Sequence, residues 1–186
     1  MLEDSLLTDL RRRMDGAIEV LRKEFGGLRT GRASASLLEP IMVPAYGNTV
    51  PLNQVASINV PEPRLITVQV WDRGVVKAVD KAIRESGLDL NPQTEGQVLR
   101  VPIPDLNEER RRNLTRVAAK YAEDAKVSVR NVRRDGIEAL RRLEKESEIS
   151  EDDHRKLQRD VQHLTDEYVK RIDEALAQKD REILQV

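Results

Sequence analysis

Val129-Arg130-Asn131-Val132-Arg133-Arg134-Asp135 sits inside a proline-free run, residues 107–146, that reads as one unbroken helix. At 1.5 Å rise per residue such a helix is roughly 60 Å long. A turn of about 100° per residue sorts its side chains into two faces. Leu114, Val117, Tyr121, Ala125, Ser128, Val132, Ala139 and Leu143 fall on a face predicted to be buried. Arg112, Arg116, Lys126, Arg130, Arg133, Arg134 and Arg141 fall on the opposite one, predicted to be outward and mostly cationic. The rest of the chain reads as support for this rod, or as a unit hung from its end.

Upstream, residues 2–28 repeat Leu7, Leu10, Met14, Ala17, Leu21, Phe25 and Leu28 at spacings of three and four, which predicts a helix with a seam for partner helices. Gly26 and Gly27 fall late in it. They either loosen its last turns or permit a close approach, and the sequence leaves both open. Downstream, Ser150-Glu151-Asp152-Asp153 resembles a capping box opening a third long helix. Leu157, Val161, Leu164, Tyr168, Ile172, Ala175 and Leu184 form that helix's predicted seam. Three such seams predict an antiparallel three-helix bundle, with a tip made mostly of the second and third long helices.

The pattern changes at Arg29-Thr30-Gly31-Arg32. From there to Pro104 the chain carries all eight prolines. Strands are predicted at residues 41–43, 49–52, 55–60, 65–71 and 98–103, the β-branched run Leu65-Ile66-Thr67-Val68-Gln69-Val70-Trp71 most clearly. A turn is expected at Gly47-Asn48. A helix is predicted at residues 75–86, ended by Gly87. The expected organisation is therefore α+β. Residues 1–29 and 105–186 form a long bundle, and residues 30–104 form a small inserted β/α/β domain. Two chain crossings join them, with Thr30 and Gly31 in one and Pro104 and Asp105 in the other. They are read as a two-strand hinge.

Composition excludes several classes. Charged residues make up 35 % and aromatics 3 %, which favours long helices over a β-sandwich. Without cysteine there is no disulfide or thiolate metal site, and a reducing compartment fits. No 18-residue apolar run exists to span a membrane, and Met1-Leu2-Glu3-Asp4-Ser5 lacks signal-peptide character. The net charge of −1 means that any nucleic-acid surface is a local patch rather than a whole-chain field.

Such a patch is offered by Arg130, Arg133 and Arg134, at i, i+3 and i+4, with Lys126 one turn earlier. Guanidinium groups bind phosphate through two parallel N–H bonds. The competing reading is a solvated face neutralised by Glu123, Asp135 and Glu138. Too few aromatics are present for a base-stacking platform, so binding would be to phosphates and shape, as in structured RNA. Catalysis has little support. His154 and His163 lie among polar neighbours, Ser34 and Ser36 have no nearby base, and no phosphate-cradling G-x-x-x-x-G-K-[ST] motif exists. No catalytic residue, metal site or cofactor is expected. A helical scaffold that binds a protein partner is the alternative reading.

Leu28-Arg29-Thr30-Gly31-Arg32-Ala33-Ser34, Gly87-Leu88 with Asn91-Pro92, Arg100-Val101-Pro102-Ile103-Pro104, residues 129–135 and Glu148-Ile149-Ser150-Glu151-Asp152-Asp153 together resemble the bacterial ribosome recycling factor family, in order and over essentially the whole chain. The resemblance implies an L-shaped molecule and a translation factor that acts after termination. It implies docking on ribosomal RNA of the large subunit, and splitting of the ribosome with elongation factor G, which supplies GTP hydrolysis. It also implies RNA contacts at Arg130 and Arg133, with Arg134 adjacent, and at Arg29 and Arg32 beside the hinge. A monomer in the bacterial cytoplasm is expected, since an organellar relative would carry a transit extension.

Overall fold

The computed structural model describes residues 2–28, 33–104 and 107–184. Its elements are α1 Leu2–Gly27, α2 Ala35–Leu38, β1 Met42–Ala45, β2 Asn48–Pro51, β3 Ala56–Glu62, β4 Leu65–Val70, α3 Val76–Arg84, β5 Gln93–Glu95, β6 Val98–Pro102, α4 Glu108–Lys145 and α5 Glu151–Leu184. The class is α+β, three long helices plus a small sheet, as expected. Arg29, Thr30, Gly31, Arg32 and Asp105 lie outside the described residues. Pro104 is described and belongs to neither helix nor strand. Contacts divide the chain into two compact units, Met1–Arg22 with Lys120–Gln178, and Lys23–Ala119 with Lys179–Val186.

In the first unit, α4 and α5 run antiparallel. Lys126 pairs with Asp173, Arg133 with Gln162 and Glu144 with His154, so one number falls as the other rises. α1 seats Leu10 beside Gly136, where an added Cβ would come within 2.6 Å of Leu10 Cδ1. This register corrects one expectation. Eight residues back from Leu10 is Leu2, and eight on from Gly136 is Glu144. At equal rise per residue α1 therefore begins level with the last turn of α4, and all three helices reach the tip.

The buried stripe of α4 is also rotated from the predicted one. Ala118, Ala122, Ala125, Val129, Val132 and Leu140 are buried with Gly136, whereas Ser128 is exposed and Leu114, Tyr121, Ala139 and Leu143 are half-buried. Small residues mark much of the seam, and at Gly136 the neighbouring helix comes close. A reading weighted toward large apolar residues misplaces its centre by one position. On α5, Leu157, Val161, Leu164, Tyr168 and Ile172 are buried as predicted. At its end the seam passes through Lys179 and Ile183, and Leu184 is exposed. Lys179 is only 7 % exposed, and its Nζ lies 3.3 Å from Glu182 Oε2.

The capping box before α5 forms as predicted. Asp153 N donates to Ser150 Oγ at 3.0 Å, and Ser150 N donates to Asp153 Oδ2 at 3.3 Å. Hydrogen bonding to the carboxylate from Ser150, first from its hydroxyl and then from its backbone N–H, holds the Asp153 carboxyl below its usual range.

In the second unit, β1 and β2 form a hairpin, and β3-β4-β6-β5 form a four-stranded antiparallel sheet. β4 is central, with Ile66 opposite Val101 and Val68 opposite Leu99, all four fully buried. α3 buries Val76, Val79 and Ile83, and Gly87 follows it at φ +81°. The β1–β2 turn is Tyr46-Gly47, with φ of 55° and 78°, and Asn48 opens β2 instead of forming the turn. Two positive φ values in a two-residue loop give the hairpin type whose twist suits the flanking strands. β5 and α2 were not predicted. β5 has no apolar residue and is fully exposed, and Thr94 Oγ1 ties it to Asp80 Oδ2 of α3 at 2.7 Å. α2 has only four residues. It explains Gly27, because a Cβ there would lie 2.1 Å from the Ser36 carbonyl oxygen. Of the two readings of the glycine pair, close approach is the correct one at Gly27.

Candidate nucleic-acid interface

Arg130 and Arg134 are exposed on α4 away from its seam, in which Val129, Val132 and Gly136 are buried, and Arg133 is half-buried at the seam's edge. The side chain of Arg130 is 52 % exposed, and its Nη1 reaches Glu123 Oε1 at 3.1 Å. An exposed pair of this kind is worth well under about 1 kcal/mol, so a phosphate can displace the carboxylate at little cost. Arg133 Nε donates to Gln162 Oε1 at 2.7 Å, and Gln162 Nε2 donates onward to Asp166 Oδ1 at 2.9 Å. The amide fixes the Arg133 side chain without neutralising it, and uses one of five N–H donors. Arg134 Nη2 donates to Asn131 Oδ1 at 3.0 Å, again an amide rather than an acid.

Asp135, which could have neutralised this cluster, turns instead to α1. Its Oδ2 accepts from Arg13 Nη2 at 2.6 Å. The solvated-face reading, with pairs to Glu123, Asp135 and Glu138, is met at Glu123 alone. Two of the three arginines have no carboxylate partner among the described residues. Lys126 behaves differently. Its side chain is 18 % exposed and is engaged by Asp173 of α5, so it works as a bundle strut rather than as an open cation. Asn131 stands three residues before Arg134 on the same helix, but Gln162 is far from Arg133 in the chain. Gln162 is recognisable only once α4 and α5 are set in register.

Possible sites for chemistry have structural uses. His154 Nδ1 lies 2.7 Å from Glu144 Oε2, joining α5 to α4, and His163 is exposed. No group of three metal-ligating side chains is found among the described residues. No described helix is long and apolar enough to cross a membrane.

The family model described as ribosome recycling factor matches residues 21–184. The chain belongs to the ribosome recycling factor family. Curated ribosome-recycling factors agree with this. That of Rhodospirillum centenum is 66 % identical over 180 residues, covering 97 % of each chain. That of Maricaulis maris is 64 % identical over 178 residues, covering 96 % of each. The fold is likewise that of solved recycling factors. A solution structure of a ribosome recycling factor is 42 % identical, with TM-score 0.54, over 100 % of this chain and 99 % of that one. A second match, also 42 % identical with TM-score 0.54, covers 99 % of this chain and 100 % of the other. It is a Thermus thermophilus recycling factor described with Escherichia coli elongation factor G, bound to the E. coli post-termination complex.

Proposed function

We propose that this chain is a translation factor that binds the post-termination ribosome and, with elongation factor G and GTP, splits it into subunits for a new round of protein synthesis. Family membership over nearly the whole chain carries this reading. A relative described on the post-termination complex with elongation factor G supports the choice of partners. The RNA-binding residues are Arg130, Arg133 and Arg134 of α4, together with Arg29 and Arg32. Lys126 contributes through the bundle rather than by direct contact. Phosphate contacts from guanidinium groups position a protein on RNA without reading bases, which suits a factor that meets one fixed site on every ribosome.

The factor itself performs no bond-making chemistry. GTP hydrolysis belongs to the elongation factor, and this chain transmits the resulting push. Residues 30–104 act as the pushed body and residues 1–29 with 105–186 as the docked one. Thr30 and Gly31 on one crossing and Pro104 and Asp105 on the other form the hinge. It works as a monomer, in the cytoplasm where ribosomes turn over.

A polysome breakdown assay with purified elongation factor G and GTP tests the reading. Polysomes are expected to collapse to lighter species only when chain, elongation factor and nucleotide are all present. Polysomes that persist with all three would remove recycling as the function.

A further inference from the structure

Two open clefts flank Arg133, and they do not stop at α4. One is lined by Arg133 together with Asp152, Arg155, Gln158, Arg159 and Gln162. The other includes Arg130, Arg133, Arg134, Arg141 and Gln158. Arg133 and Gln158 belong to both, so the clefts adjoin across the α4–α5 groove. On α5 the lining positions 155, 158, 159 and 162 follow the i, i+3, i+4, i+7 rule for one helix face. On α4 the lining positions 130, 133, 134 and 137 do the same, and Arg141 follows one turn after Ile137.

The charges in this groove are unequal in availability. Arg155 is engaged by Glu151 at 2.5 Å in a pair exposed on both sides. Arg159 and Arg141 are exposed and have no hydrogen-bond or ion-pair partner among the described residues. Gln162 is held between Arg133 and Asp166, which fixes one wall against the other. Gln158 is exposed between the two rows of guanidinium groups. Its amide offers both a donor and an acceptor, the pair that a ribose 2′-hydroxyl can meet.

Resting on the recycling-factor reading above, we infer that the RNA-binding surface is a two-helix groove, in which Arg159 of α5 is a second phosphate anchor facing Arg133 of α4, with Gln158 between them. Packed helices lie about 8–10 Å apart, so cations on both rims can hold a sugar-phosphate ridge seated in the groove rather than touched from one side. The lining favours nucleic acid over a protein partner. Ile137 is the apolar side chain among the lining residues, whereas a protein interface needs a desolvated apolar centre. The acids present, Asp152 and Glu138, stand against a larger number of guanidinium groups.

The test is binding of the full chain to purified large ribosomal subunits over a series of salt concentrations, with Arg133→Ala, Arg159→Ala and Lys156→Ala. Lys156 has the same charge on the same helix but lines neither cleft. Arg159→Ala is expected to weaken binding severalfold and to reduce the slope of log affinity against log salt by about one, as Arg133→Ala does. Lys156→Ala is expected to bind as the unaltered chain. Far-UV circular dichroism confirms that helix content is kept. An effect from Arg133→Ala alone would confine the surface to α4 and overturn the groove, while leaving the recycling-factor reading intact. No effect from either would overturn the whole α4 docking face. Loss of binding to elongation factor G, with large-subunit affinity unchanged, would assign Arg159 to a protein contact and likewise overturn the proposal.

Discussion

Arg13 of α1 holds Asp135 of α4 by an Nη2–Oδ2 contact of 2.6 Å, and so removes from the arginine face the acid that directly follows Arg134. The pair is about half exposed on each side, so its own contribution to folding is small, within about 1 kcal/mol. Its larger consequence is electrostatic. Arg13→Ala is expected to leave urea stability nearly unchanged yet weaken large-subunit binding, because Asp135 then stands uncompensated beside the cluster. Adding Asp135→Asn should restore the affinity. A double variant that binds no better than Arg13→Ala would show that the two residues do not shape the face.

Three helical glycines separate conformational cost from packing need. At Gly16 an added Cβ meets nothing within 4 Å, so Gly16→Ala should stabilise by up to about 1 kcal/mol through helix propensity. At Gly136 the Cβ meets the end of the Leu10 side chain, and overpacking of about 1–3 kcal/mol opposes that gain. At Gly27 it meets backbone, the Ser36 carbonyl, which cannot rotate aside. Gly27→Ala should therefore be the most destabilising of the three. Thermal denaturation gives the ranking, and a Gly27→Ala variant as stable as Gly16→Ala would mean that the Gly27–Ser36 contact is not tight.

Tyr168 is buried in the bundle, and its hydroxyl is bonded to the Asp15 carboxylate. Burial first, then that bond, push the phenol up to about 12, from about 10 in an unfolded chain. The folded state thus holds the proton more tightly. Stability from this group is complete below about pH 10 and is lost as pH rises through 12. Tyr168→Phe removes the titration. The stability difference between the two proteins should be constant from pH 7 to 9 and change above 10, and a constant difference up to pH 12 would place the hydroxyl in water.

Asp153 works in the opposite direction. Its carboxyl is held low by Ser150, so its contribution is present above the ordinary carboxylate range and lost as pH falls through the lowered value. Asp153→Ala should be less stable than the parent at pH 7, and the gap should close in acid. Ser150→Ala, which removes the other half of the cap, is expected to cost about 0.5–2 kcal/mol at neutral pH.

Proline fixes φ and removes a backbone donor, so Gly31→Pro stiffens one of the two proposed crossings. Large-subunit binding should persist while polysome breakdown falls. Full breakdown activity would take Gly31 out of the mechanism.

Periodicity alone was enough to place the three long helices, the Leu65–Val70 strand and the Ser150–Asp153 cap. Each of these is decided by near neighbours in the chain, whose spacing of two, or of three to four, sets which side meets water. The arginine cluster was legible for the same reason. What needed the tertiary structure was everything that depends on which element lies opposite. The α4 seam runs through buried Ala118, Ala122 and Gly136, the last against Leu10 of α1, and small residues carry little hydrophobic signal. β5 is a strand because β6 pairs with it, although none of its three residues is apolar. Asp135 is spent on Arg13, Lys126 on Asp173, and Arg133 is held by Gln162, each across a long gap in sequence. One chain therefore dictates where its charges stand along each helix. Packing decides which are cancelled and which stay open, because a charge is neutralised by whatever lies within a few ångströms in space.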